Sequence, residues 1–300
     1  MMMERFVKSV LSLAFGRWPK VPFDNTYPWL GYTFQQLMRD PECGRKPAYV
    51  WGVVQGVALA KVLRIPEVSV IEFGVAGGAG LLSLERTAEL TEARTGVKVN
   101  VYGFDTGVGL PRPTDHRDQP NMWFEGQLPM DKGLLESKLR RASLRIGLVH
   151  HTVAAFMAEQ PAPIAFISFD LDLYSSTRDA FSVFDAPDER LLPRIVTYFD
   201  DILGHSYNDF AGERLAISEF NDEHDRRKMS PIYGLRNFVP REFFVSQFWD
   251  GMYFTHMFDH SLYNTLDSTR KAVFTDHLGY DLREPVQSDW KAKIAGAQTG

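Results

Sequence analysis

Two strongly apolar runs in this chain break off abruptly into carboxylates. Ile164-Ala-Phe-Ile-Ser-Phe169 runs into Asp170-Leu-Asp172, and Ile195-Val-Thr-Tyr-Phe199 runs into Asp200-Asp201. Short runs rich in β-branched and aromatic residues read as buried parallel strands. In an open α/β sheet the ligand sits just beyond the carboxyl ends of such strands. If the two runs are neighbours in one sheet, Asp170, Asp200 and Asp201, with Asp172 as a fourth, converge on a point and offer the oxygen cage that a divalent cation requires. The competing reading makes them helix caps and salt-bridge partners. Asp185, Asp188 and Glu189 belong to that solvated class.

The rest of the chain supplies a sheet for these runs. Strands are expected over 68–73, 99–104 and 144–150, with helices over 49–63, from 80 through 90, and over 134–141, 152–158 and 214–224. Strand and helix alternate, which predicts an α/β fold: a doubly wound, mostly parallel, Rossmann-like sheet. Residues 1–48 read as an N-terminal helical and irregular extension, 49–260 as the α/β domain, and 261–300 as a C-terminal tail. Phe6, Val10 and Leu13 share a helical face near the start, so an amphipathic helix is expected there, docking on the domain, on a partner subunit or on a membrane surface. Glu4 and Lys8 break the apolar stretch, which is therefore no transmembrane span. Residues 107–132 hold four prolines among polar residues and suit a lid over a substrate, with Trp123 and Phe124 as walls.

A net charge of −5 argues against nucleic acid as the main partner. The single cysteine, Cys43, allows no intramolecular disulfide, so a reducing compartment is expected, the cytoplasm by default.

Two further features point to a nucleoside ligand. Glu72-Phe73-Gly74-Val75-Ala76-Gly77-Gly78 ends the first strand, and glycines there let the backbone turn tightly and approach a ligand. The Gly-x-Gly-x-x-Gly spacing is absent, which weakens a dinucleotide reading. Asp105 ends the second strand, where a carboxylate can accept both hydroxyl hydrogens of a ribose; a helix cap is the alternative. His256 and His260 have helical spacing but lack the glutamate of a metalloprotease motif, so an exposed helix face is expected.

With these residues the chain resembles the class I S-adenosylmethionine-dependent methyltransferases, and Phe169-Asp-Leu-Asp-Leu-Tyr-Ser-Ser-Thr177, Tyr198-Phe-Asp-Asp201 and Arg214-Leu-Ala-Ile-Ser-Glu-Phe220 are similar to segments of the macrocin O-methyltransferase group. The resemblance covers residues 49–254. It implies S-adenosylmethionine at residues 72–78 and Asp105, with His151 near the adenine. It also implies a magnesium ion on Asp170, Asp200 and Asp201, and O-methylation of a hydroxyl on a small molecule or sugar. Catechol-type relatives carry a lysine base after the first metal aspartate, whereas this chain has Leu171, Asp172 and Leu173. The base therefore falls to Asp172, the nearest candidate, or to His205, which follows the acidic pair. The turn also departs from the Trp-Arg-Gly-Gly of many macrocin-type enzymes. Two other classes stay open: a magnesium-dependent hydrolase or glycosyl-transfer enzyme, and a non-catalytic cofactor-binding protein. A homo-oligomer is compatible with all of them.

Overall fold

The computed structural model describes residues 34, 36–238 and 247–264. The expected helix near residues 6–13 and nearly all of the expected tail lie outside them. Residues 32–265 form one compact unit built on a seven-stranded sheet, ordered β3-β2-β1-β4-β5-β7-β6. The strands are β1 (Glu67–Phe73), β2 (Lys98–Asp105), β3 (Ser143–Ile146), β4 (Ile164–Phe169), β5 (Leu191–Phe199), β6 (Arg227–Pro231) and β7 (Met252–Met257). The first five pair in parallel, and β7 runs antiparallel to both β5 and β6. Strand order reverses between β1 and β4, and that switch point is where open α/β sheets leave a crevice.

The helices are α1 (Pro47–Val62), α2 (Ala79–Thr95), α3 (Lys132–Lys138), α4 (Val149–Ala158), α5 (Tyr174–Phe181) and α6 (Gly212–Glu223). A proline in its first turn starts α1, at no hydrogen-bonding cost, and the helix is buried on nearly every side. Gly52 and Gly56 explain how closely it lies on the sheet: a Cβ on Gly52 would stand 2.3 Å from the Phe166 ring, and one on Gly56 2.6 Å from the Ala165 carbonyl oxygen.

In-register parallel strands turn facing residues to the same side. Phe104, Phe73, Phe169 and Phe199 occupy facing positions on β2, β1, β4 and β5. Their rings form a row, with centroids 4.8, 5.5 and 4.9 Å apart. Each is fully buried, worth about 2–3 kcal/mol of transfer free energy. The residue after each ring therefore emerges at one edge of the sheet: Asp105, Gly74, Asp170 and Asp200. Phe73 belongs to this floor.

Two expectations are corrected here. The third strand stops at Ile146, and Val149 begins α4, so His150 and His151 sit in a helical first turn. The apolar pattern runs unbroken through the junction, which hid the boundary. His256 lies on β7 and His260 in the turn after it, so the two share no helix face. His256 bonds Tyr263 at 2.8 Å, and His260 Nε2 lies 3.1 Å from the Asp188 and Leu191 carbonyl oxygens, both structural roles. Among the described residues no helix is long and apolar enough to cross a membrane.

Candidate active site

The glycine turn is set by sterics. Gly74 has φ +84°, and a Cβ there would fall 1.7 Å from the Asp170 carbonyl oxygen, so the ends of β1 and β4 approach only because the side chain is missing. Ala76 also takes a left-handed φ, +44°. The Val75 and Ala76 amides both donate to Asp105 Oδ2 at 2.9 Å, and the Gly107 amide donates to Oδ1 at 2.6 Å. Asp105 thus clamps the turn from the neighbouring strand. Of the roughly four acceptor positions on a carboxylate, the three bonds leave capacity for one more donor, on Oδ1.

Glu72 points the other way, towards α1. It is 1% exposed; Oε1 accepts from the Tyr49 hydroxyl at 2.7 Å, and that hydroxyl accepts from Ser168 Oγ at 2.8 Å. Oε2 is buried with no hydrogen-bond partner among the described residues. Burial pushes the Glu72 carboxyl up to about 8, opposed by the Tyr49 bond and the Lys46 charge and assisted by Asp105 and Asp200. Gly80 is needed beside it, since a Cβ would stand 1.8 Å from Oε1.

On the other side of the switch point, one carboxylate oxygen from each of Asp170, Asp200 and Asp201 lies within 4.8 Å of the others. Each acid is held. Tyr198 donates to Asp200 Oδ1 at 2.7 Å, Tyr207 to Asp201 Oδ1 at 2.8 Å, and the Asp172 amide to Asp201 Oδ2 at 2.9 Å. The buried Glu213 on α6 accepts from the Asp201 amide at 3.0 Å. Lys46 Nζ stands 3.8 Å from Asp170 Oδ2. Burial and mutual repulsion push Asp170 well above the carboxylate range, Asp172 to about 8 and Asp201 to about 6. The all-oxygen donor set matches a hard divalent cation, which would relieve that repulsion.

One cavity of about 470 Å³ joins the two sides. Its lining includes Lys46, Glu72, the turn from Gly74 through Gly78, Asp105, Asp170 and Asp172. The volume falls within the range that takes a drug-sized ligand. Asp172 is 6% exposed and holds a left-handed φ of +63°, strain of the kind stored at functional sites.

Other candidates lie elsewhere. His205 is exposed, outside the cavity lining, and the side chain that reaches the acids from its loop is Tyr207. His150 lines the cavity, while the exposed His151 contacts it from behind, with ring nitrogens 2.9 Å apart. Trp123 and Phe124 stand outside the lining; the lid reaches the cavity through Leu110, Pro111, Arg112, Thr114 and Leu128. Lys46, Tyr49, Tyr207 and Glu213 carry no motif. Their roles arise from α1 and the β5–α6 loop folding against the strand ends.

No protein-family model matches the chain, and no curated protein does. Solved structures do. The calicheamicin methyltransferase CalS11 is 20% identical with a TM-score of 0.46, covering 75% of this chain and 91% of its own. The O-methyltransferase NovP is 14% identical with a TM-score of 0.47, covering 67% and 77%. The MycE methyltransferase, in complex with Mg, SAH and mycinamycin VI, is 14% identical with a TM-score of 0.40, covering 77% and 58%. The sheet of this chain is that of a Rossmann-like α/β fold, with five parallel strands and a reversed β7 inserted between β5 and β6.

Proposed function

We propose that this protein is an S-adenosylmethionine-dependent O-methyltransferase that acts with magnesium on a hydroxyl of a small molecule or sugar. The observation that carries the reading is one cavity lined both by Glu72, whose buried Oε2 has no hydrogen-bond donor among the described residues, and by Asp170, one of three aspartates whose carboxylate oxygens lie within 4.8 Å of one another. Glu72 Oε2 suits the α-ammonium of the cofactor's amino-acid end, with Lys46 beside it for the carboxylate. Asp105 Oδ1 keeps room for one ribose hydroxyl while its other bonds hold residues 74–78 in place.

Asp170, Asp200 and Asp201 would hold the magnesium, which when bound supplies Lewis acidity that eases deprotonation of an acceptor hydroxyl. Asp172 lines the cavity, and burial and Asp201 raise its carboxyl, so its ionised form is a stronger base than an ordinary carboxylate and suits proton acceptance from that hydroxyl. The residues of the turn and the lid would exclude water and align the two reactants, which removes much of the entropic barrier.

The test is methyl transfer from isotopically labelled S-adenosylmethionine to a panel of sugar and phenolic hydroxyls, with magnesium or with chelator. Magnesium-dependent label on one acceptor class supports the reading. Hydrolysis products without added cofactor would sink it and favour a magnesium-dependent hydrolase.

A further inference from the structure

The lid between β2 and α3, residues 106–131, contains one 3-10 turn, His116–Asp118. Three consecutive side chains at that turn leave the lid. Arg117 donates to the Tyr174 hydroxyl at 3.1 Å and lies 4.6 Å over its ring. The fully buried Asp118 accepts from the Ser175 amide at 2.7 Å and from Ser175 Oγ at 3.1 Å, and from the Thr114 amide and hydroxyl, both at 2.8 Å. Gln119, 4% exposed and at a left-handed φ of +51°, donates from Nε2 to the Ser206 carbonyl oxygen at 3.1 Å.

These partners adjoin the segments that bear the acids: Tyr174 and Ser175 open α5 directly after residues 170–173, and Ser206 lies in the β5–α6 loop. Ser175 follows Asp172 by three residues. Ser206 adjoins Tyr207, whose hydroxyl holds Asp201. Asp118 and Gln119 therefore stand between the lid and both halves of the acid cluster, and neither faces the cavity. A charge-assisted bond from a fully buried carboxylate is strong, and losing one of its partners leaves an unpaired buried group. Gln119 pays a backbone cost that its bond to Ser206 must offset.

We infer that Asp118 and Gln119 are positioning residues that couple the lid to the metal-bearing loops, so that a cation on Asp170, Asp200 and Asp201 and an ordered lid favour each other. Coupling of this kind is reciprocal: whatever fixes the loops steadies the lid, and the reverse. The metal half of the inference rests on the proposed function; the mechanical half does not.

The test is amide hydrogen exchange on the full chain, with and without saturating magnesium, for wild type, Gln119→Met and Asp118→Asn, together with calorimetric magnesium affinity. Gln119→Met keeps the side-chain volume and removes the donor. It should speed exchange about tenfold in both 106–131 and 201–211, leave α2 at wild-type protection, and weaken magnesium about fivefold. Asp118→Asn should do the same for 106–131 and 170–175. In wild type, magnesium should slow exchange in the lid, and in the variants that effect should shrink. Faster exchange confined to the lid in both variants, with the acid loops and magnesium affinity unchanged, would overturn the coupling. Absence of magnesium binding to wild type would instead refute the metal assignment, and exchange in the metal-free protein would still decide the mechanical link.

Discussion

The two sides of the cavity hold their carboxylates in opposite ways. On the β1–β2 side, Asp105 is nearly saturated by three backbone amides, so the protein itself supplies the donors and the turn is complete before any ligand arrives. On the β4–β5 side, three aspartates converge; Tyr198, Tyr207 and one amide fix their directions, and among the described residues the positive charge beside them is Lys46, 3.8 Å from Asp170. One half is closed by backbone donors, and the other gathers like charges. Glu72 lies between the two conditions, with one oxygen bonded to Tyr49 and the other bare.

The largest effect should come from Gly74, where the two halves touch. Gly74→Ala adds a Cβ that collides with the Asp170 carbonyl oxygen at a backbone angle alanine resists, and we expect a loss of about 3 kcal/mol or more in chemical denaturation. Near-wild-type stability would contradict the close approach of the strand ends.

Next in size is the removal of charge on the open side. On the proposed function, Asp200→Asn/Asp201→Asn should abolish magnesium-dependent methyl transfer and the rise in melting temperature expected of the wild type with magnesium. In the metal-free state the same variant should melt above wild type, because the repulsion is gone. A variant that melts lower in both states would show the acids to be structural partners instead.

The pH dependence follows the same division. Glu72, Asp172 and Asp201 have carboxyls raised by burial to about 8, 8 and 6. The folded chain therefore binds more protons than the unfolded one between the ordinary carboxyl range and those values, and stability falls as pH rises through that window. Metal-free protein should lose a few kcal/mol, order of magnitude, between pH 5 and pH 8. Magnesium should flatten the slope; a metal-free stability that rises over this interval reverses the sign and removes the account of the open side.

Tyr49→Phe probes the intermediate case. It leaves both Glu72 oxygens without a donor, and cofactor affinity should weaken on the order of tenfold by calorimetry. The smallest effect is expected from His205→Ala, within twofold of wild-type turnover, since its side chain is exposed and Tyr207 is the one that reaches the acids.

Much of this was written in the sequence because parallel strands end in register. Glu-Phe-Gly, Gly-Phe-Asp, Ser-Phe-Asp and Tyr-Phe-Asp each place a phenylalanine one residue before the site, and pairing aligns all four. The fold class, the glycine turn and the meeting of Asp170 with Asp200 and Asp201 were legible on that basis. What local pattern could not show was who partners whom. Asp105 spends its acceptors on the turn; Lys46 and Tyr49 arrive from the N-cap and first turn of α1, remote in sequence; Glu213 looks like an ordinary first-turn acid until its burial is known. The strand–helix junction at residues 146–149 was hidden because an apolar run serves either element, and residues 256–260 read as a helix face only if the two histidines are counted without their neighbours.

The central proposal is that Glu72 Oε2 takes the cationic end of the cofactor and that Asp170, which lines the same cavity, shares a metal with Asp200 and Asp201. Calorimetry of S-adenosylmethionine binding at pH 7, in buffers of differing ionisation enthalpy and with or without magnesium, tests it most directly. The account predicts measurable binding with release of up to about one proton as Glu72 ionises against the ammonium, an effect lost in Glu72→Gln. No binding by the wild type, or binding without proton release that Glu72→Gln leaves unchanged, would contradict it.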